Sequence, residues 1–304
     1  MTAFTQDAVK QLSAALNEPD WMLQFRLKAF EIYENTPMPT TTDEAWRRTN
    51  IRRFRPDEIG PSVNGDAATS WEIPDFLGKE LTGEVVGGSL LQIDGVTRQY
   101  ELSDALQAQG VIFCDMHTAV TQHPDLVQKY FMTEGVQVSE GKFAAMHGAF
   151  WRGGTFLYVP KNVKAAAPLH SVLWSVNGKT FTHTLVVLDE GSEAIFMDEY
   201  ASANGEAAGL HNGVIELLVG DNANLIYAGL QDFGQNMWQF NHERGRVGRD
   251  GKLDWVTSMM GTRLTKAFQT LELDRPGAWG RMSGIFFTNG RQHLDLDTQQ
   301  NHNA

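Results

Sequence analysis

His293, Asp295 and Asp297 stand at i, i+2 and i+4, with His302 close behind. In a strand, that spacing sends all three side chains out of one face. An imidazole and two carboxylates so placed are a ligand set for a divalent metal. The competing reading is a polar outer face opposite the inward Leu294 and Leu296. Cys114 lies in the apolar run Val111-Ile-Phe-Cys-Asp115, the setting of a core thiol, whereas a reactive one needs an accessible, electropositive site. His170, His183, His211 and His242 follow no common spacing and read as structural. There is no nucleophile elbow, P-loop or G-x-G-x-x-G, and Gly245-Arg-Val-Gly-Arg-Asp-Gly251 is turn chemistry.

The elements that must position these groups are short strands. Thr155–Val159, Thr182–Leu188, Glu193–Met197, Val214–Val219, Asn224–Ala228, Leu253–Thr257 and Gly284–Phe287 are rich in β-branched, aromatic and long apolar residues, and Gly, Asn or Asp turn residues follow. The turn glycines Gly191, Gly220, Gly251 and Gly277 are separated by 29, 31 and 26 residues, inside the range of repeat architectures. Almost no helical period interrupts Thr180 to Gly261. Stacked strands in a coil pair their backbones above and below and point alternate residues into one apolar interior. The expected fold is therefore mainly β, a parallel β-helix, with a β-sandwich or jelly roll as the alternative.

The region before the coil differs in character. Residues 1–60 read as helical. Apolar positions Phe4, Ala8, Leu12 and Ala15 predict one helix, Asn17-Glu-Pro-Asp20 a stop and fresh start, and Trp21, Phe25, Ala29, Ile32 and Tyr33 the stripe of a second, ended by Pro37 and Pro39. Residues 61–141 read as a long connection followed by a small α/β portion: strands at Glu84–Val86, Leu90–Ile93 and Thr97–Leu102, a helix at Ser103–Gln109, the Cys114 strand and a helix from Pro124. Residues 142–304 form the coil, led in by Lys142–Trp151.

Composition narrows the function. The chain has 304 residues, 42% of them hydrophobic and 20% charged, which fits one large globular domain or two ordinary ones. It carries neither an apolar run of membrane-spanning length nor a basic, apolar amino-terminal signal, so a cytoplasmic location is expected. A single cysteine excludes an internal disulfide and a self-contained four-thiolate cluster in one copy. A net charge of −12 repels phosphate polyanions. Arg47, Arg48, Arg52, Arg53 and Arg55 have acidic neighbours Asp43, Glu44, Asp57 and Glu58 and read as a solvated face or a partner contact rather than a nucleic-acid patch. The sequence stops directly after Gln292–Thr298 without a capping helix, so either more chain or another protein is expected to cover the last rung.

An acidic β-helix also invites comparison with polysaccharide lyases, where Asp295, Asp297, Arg291 and Arg281 would be the candidate site. A more specific resemblance runs along nearly the whole chain. Asn17-Glu-Pro-Asp-Trp-Met-Leu-Gln-Phe-Arg-Leu-Lys-Ala-Phe-Glu31, Thr36-Pro-Met-Pro39, Asp43-Glu-Ala-Trp-Arg-Arg-Thr-Asn50, Gly110-Val-Ile-Phe113, His123-Pro-Asp-Leu-Val127, Phe143–Trp151, Gly154–Lys161 and Asn289-Gly-Arg-Gln-His293 resemble the SufB/SufD family of iron–sulfur cluster assembly. Asp198-Glu-Tyr200, where SufB chains have Glu-Gly-Cys, and the Asp43–Asn50 stretch resemble the SufD form. The resemblance implies a right-handed parallel β-helix and a non-catalytic scaffold subunit. It implies pairing with a SufB homologue, and contact with the SufC ATPase through a carboxy-terminal helical segment that is not in this sequence. It implies no stably bound cofactor in the chain alone, and iron or a transient cluster in the complex; His293, Asp295 and Asp297 are the candidate transient iron contacts.

Overall fold

The computed structural model describes residues 3–63 and 86–304. The expected strand at Glu84–Val86 and most of the connection before it lie outside the described residues, though Pro56–Ile59 forms a short helix.

From Thr155 onward the chain lays strands alternately on two sheets. In chain order, the strands are β1 Gly88–Ile93, β2 Val96–Leu102, β3 Ile112–Asp115, β4 Thr155–Val159, β5 Lys164–Ser175, β6 Lys179–Thr180, β7 His183–Leu188, β8 Glu193–Ser202, β9 Gly209–Val219, β10 Asn224–Phe233, β11 Met237–Val247, β12 Lys252–Gly261, β13 Leu264–Leu273, β14 Trp279–Phe286 and β15 His293–His302. One sheet has the order β14-β12-β10-β8-β5-β1-β2, the other β15-β13-β11-β9-β7-β4-β3. All pairings between these strands are parallel except the antiparallel pairs β1/β2 and β3/β4 at one end. The result is a two-sheeted solenoid of about five turns, as the strand spacing predicts, and not a sandwich. The portion expected as a small α/β unit joins it: β1 pairs with β5, β3 pairs with β4, and Leu90, Leu106, Val111 and Phe113 belong to the solenoid's own apolar interior.

The repeat is carried by one backbone corner. Asn162, Gly191, Asn222, Asp250 and Gly277 all have positive φ, between 54° and 76°, the region that Gly, Asn and Asp tolerate best. Each of the first four donates its N–H to the next rung: Asn162 to the carbonyl of Glu190 (2.9 Å), Gly191 to Asp221 (2.8 Å), Asn222 to Arg249 (2.8 Å) and Asp250 to Pro276 (3.2 Å). The glycine spacing in the sequence catches this corner only at Gly191 and Gly277; Gly220 and Gly251 flank it, because Asn and Asp serve at the other rungs.

Register then sorts the side chains into columns. Leu169, Phe196, Tyr227, Trp255 and Met282 stack inside one sheet, facing Leu157, Val186, Leu217 and Leu271 of the other. Gly245 stands in that second column because a Cβ there would meet Leu253, Leu271 and Trp255. Fully burying one such side chain contributes about 1.5–3 kcal/mol. The strands β5, β11 and β13, which sequence pattern does not reveal, carry polar residues on both faces. Helix Met116–Gln122 is likewise unannounced, yet it is capped by the Asp115 carboxylate accepting the Thr118 N–H at 2.9 Å.

Helices cover the outer face of the eight-stranded sheet. Gln6–Ala15 starts at a Thr5 cap, and Asp20–Asn35 packs on Lys142–Phe150. Phe143 stacks on Phe240 at 3.7 Å, and Phe4 meets Phe150 edge-on at 5.0 Å. The buried stripe of Asp20–Asn35 is Met22, Arg26, Ala29, Phe30 and Tyr33, so a charge lies inside the face that sequence marks as apolar. The fully buried Arg26 guanidinium makes a two-pronged pair with Glu18 at 2.7 and 2.6 Å, donates to the Ala149 carbonyl at 3.1 Å and lies 4.5 Å over the Trp151 ring. Breaking one side of such a pair leaves an uncompensated buried charge. Glu18→Ala is expected to lower the unfolding free energy by about 3–5 kcal/mol in urea titrations, while Glu18→Gln with Arg26→Met recovers most of the loss. Equal losses in the single and double variants would show that packing, not charge pairing, holds this seam.

Candidate functional site

β15 places His293, Asp295 and Asp297 on one outer face, as their spacing requires, with Leu294 and Leu296 in register with inward Thr265 and Ala267. The face is not bare. Thr49, from the amino-terminal segment, lies 3.2 Å from His293 Nε2 and donates its hydroxyl to Asp295. Lys266 on β13 sets its ammonium 3.1 Å from Asp295 and 3.8 Å from Asp297, over the Phe268 ring at 4.6 Å. Lys266 is only 2% exposed, and a buried cation requires counter-charge. The geometry supplies an ion-paired seam between the amino-terminal segment and the last strand. Among the described residues, no group of three or more His, Cys, Asp or Glu is arranged to hold a metal ion.

The other sequence candidates do not converge. Arg281 pairs with Asp254 on the seven-stranded sheet, whereas Asp295 and Asp297 lie on the other, and Arg291 is exposed. The lyase-like constellation is therefore not formed. Cys114 is buried, and burial, followed by the Asp115 charge, pushes its thiol up to about 12. No thiolate is available there at neutral pH.

Three histidines that sequence spacing leaves scattered are brought together or into line. His147, on helix Lys142–Phe150, directs Nδ1 to the Asn212 carbonyl at 3.0 Å, so that nitrogen carries the proton. Its Nε2 then accepts from His183 Nδ1 at 3.1 Å. His183 Nε2 is left as an acceptor 2.9 Å from Glu216 Oε2, and both side chains are fully buried. Burial pushes Glu216 up to about 8 and His183 down to about 3, and His147 falls well below its ordinary value, chiefly by desolvation. Burial therefore favours the neutral form of Glu216, which lies 2.9 Å from His183 Nε2 and accepts the Met132 and Val136 N–H groups at 2.9 and 3.0 Å. The chain of bonds ties helix, solenoid and the 132–136 loop together. His242, two rungs on in the same column through Val214, is held down to about 4, first by burial and then by Arg244. His211 bonds Thr180 at 2.9 Å, and His170 lies 3.4 Å from Glu199.

Inside the solenoid, one seam is polar. Asp198, raised to about 6 by burial, accepts hydroxyl bonds from Thr184 (2.7 Å), Tyr200 and Tyr227 (3.3 Å). Further along, Glu243 accepts from Asn241 at 3.0 Å and Gln269 at 2.8 Å. These donors satisfy the carboxylates from within, and none of the carboxylates reaches solvent.

The described residues thus form a solenoid covered by helices on one face, with a buried polar seam and a corner repeat. The family model described as SufBD protein N-terminal region matches residues 5–170, and that of the SufBD core domain of SUF system FeS cluster assembly matches residues 173–304. This chain belongs to the SufBD family. The iron–sulfur cluster assembly protein SufD of Bacillus subtilis is 32% identical over 97% of this chain. A SufBD family iron–sulfur cluster assembly protein of Staphylococcus aureus USA300 is 30% identical over 99%. The chain spans 68% and 66% of their lengths, about two thirds. Among the described residues of this SufBD protein, no helix is long and apolar enough to cross a membrane.

The buried acid and histidines give the SufBD fold opposing pH dependences. His183, His211 and His242 have folded values below the ordinary 6.5, so the unfolded chain binds more protons between about 3 and 6.5 and their contribution is lost as pH falls. Glu216 is raised from 4.5 to about 8, so its contribution is full below 4.5 and is lost as pH rises toward 8. Glu216→Gln, which removes the ionisable carboxyl, is expected to flatten the decline between about pH 4.5 and 8, by on the order of 1.4 kcal/mol per pKa unit removed. Parallel wild-type and variant melting curves across that range would contradict the assignment of a proton to Glu216.

Proposed function

We propose that this SufBD protein is a SufD-type scaffold subunit in cytoplasmic iron–sulfur cluster assembly, without a catalytic centre of its own, acting beside a SufB-like homologue and a SufC-type ATPase. The observation that carries the reading is the similarity to SufD along 97% of the chain, joined to a structure in which the thiol is buried and the buried acids Asp198, Glu216 and Glu243 are held by internal hydrogen bonds. Asp198 and Tyr200 support it further. The stretch that separates the SufD form from the cysteine-bearing SufB form places Tyr200 inside the solenoid, bonded to Asp198. A lone thiol held up near 12 is a poor cluster ligand, so metal and sulfide would be shared with partner chains.

Co-expression of the complete reading frame with SufB and SufC homologues is expected to yield one co-eluting complex. A chain that elutes alone while SufB and SufC associate would overturn the role. His293, Asp295 and Asp297 enter the proposal as a transient iron contact, which requires Lys266 to release the two carboxylates. In Fe²⁺ titrations, His293→Ala is expected to bind more weakly than wild type; equal binding removes these three residues from the role.

A further inference from the structure

Between Trp46 and Arg55 the chain alternates anchors and arginines. Trp46, Thr49, Ile51 and Phe54 are buried, while Arg47, Arg48, Arg52, Arg53 and Arg55 are exposed. The anchors are firm. Phe54 packs at 5.3 Å from Trp238 and 5.0 Å from Phe240, Trp46 lies 5.4 Å from Phe143, and Thr49 bonds the β15 face. Local bonds stiffen the strap: the Asn50 side chain accepts the Arg52 N–H at 3.0 Å, and Arg55 donates to the carbonyls of Arg52 and Phe54. Arg263 extends the basic surface, its guanidinium 5.1 Å over the Trp238 ring that Phe54 touches.

Among the described residues, Arg47, Arg48, Arg52 and Arg53 make no ion pair. Two of the flanking acids are engaged elsewhere: Asp43 accepts the Thr40 N–H at 2.7 Å and Asp57 the Ala3 N–H at 3.2 Å. We propose that this strap is a docking surface for a carboxylate-rich segment of a partner protein. Every cation on it is arginine, whose planar fork grips a carboxylate in two bonds where lysine makes a point contact. Buried anchors hold the backbone in place, so binding costs little ordering entropy. Nucleic acid fits less well. The net charge of −12 opposes a long polyanion, and the aromatic residues of the strap, Trp46 and Phe54, are buried and offer no stacking platform. The inference does not depend on the assembly role.

The test is fluorescence anisotropy with a fluorescein-labelled peptide of alternating glutamate and glycine, titrated with the whole chain. Substituting Arg47→Gln, Arg48→Gln, Arg52→Gln and Arg53→Gln together is expected to weaken binding by about tenfold or more, and lysine at the same four positions to restore only part of it. A control with Lys10→Gln, Lys28→Gln, Lys129→Gln and Lys252→Gln, which changes net charge equally, is expected to bind almost as wild type. Absence of binding by the wild-type chain, equal loss in both glutamine sets, or tighter binding of labelled duplex DNA than of the peptide would each overturn the proposal. None of the arginines is an anchor, and unchanged melting curves verify that the variants fold.

Discussion

Rung-to-rung parallel register is the constraint on which the rest of this structure depends. Each strand from β8 onward takes its alignment from the strand beneath it, and a slip of one residue would exchange its inward and outward side chains. In the seven-stranded sheet the positive-φ corner at Asn162, Gly191, Asn222, Asp250 and Gly277 supports that alignment, because the N–H groups of the first four bond to the next corner and pin the strands that follow at their starts. Trp255 over Tyr227 is a consequence of that fixed start.

Register also explains how so many ionisable groups are tolerated inside. A buried polar atom costs stability unless partnered, and stacking places suitable partners one rung away. Gln269 faces Glu243 across one ladder step, while Tyr227 and Tyr200 reach Asp198 from the next rung and from its own strand. On the outer face, Glu216 and His183 meet through neighbouring strands, with His147 added by the covering helix. Such groups are shielded from water and reagents alike.

Electrostatics divide those surfaces. Lys266, sunk under Trp46 and Phe268, draws Asp295 and Asp297 onto the amino-terminal segment and so ties the first part of the chain to the last strand. The arginines of the same segment point the opposite way, into solvent. One short stretch therefore closes the molecule on its inner side and presents on its outer side arginines without an ion pair among the described residues.

Much of this was legible in the chain. The β-rich second half, the two leading helices, the start of the helix at Pro124 and the one-faced spacing of His293, Asp295 and Asp297 all follow from local pattern, because strand alternation, helix periodicity and proline geometry act over a few residues. The motif stretches from Asn17 to His293 likewise marked the family. Tertiary structure alone decided the rest: that Arg26 is buried with Glu18, that His147, His183 and Glu216 lie in line at successive distances of 3.1 and 2.9 Å, that β11 and β13 are strands despite their polar residues, and that Lys266 occupies the carboxylate face of β15. Apart from Glu18 and Arg26, these bring together residues distant in sequence. Their environment comes from the rung above, the rung below or the covering helix, and no local window contains it.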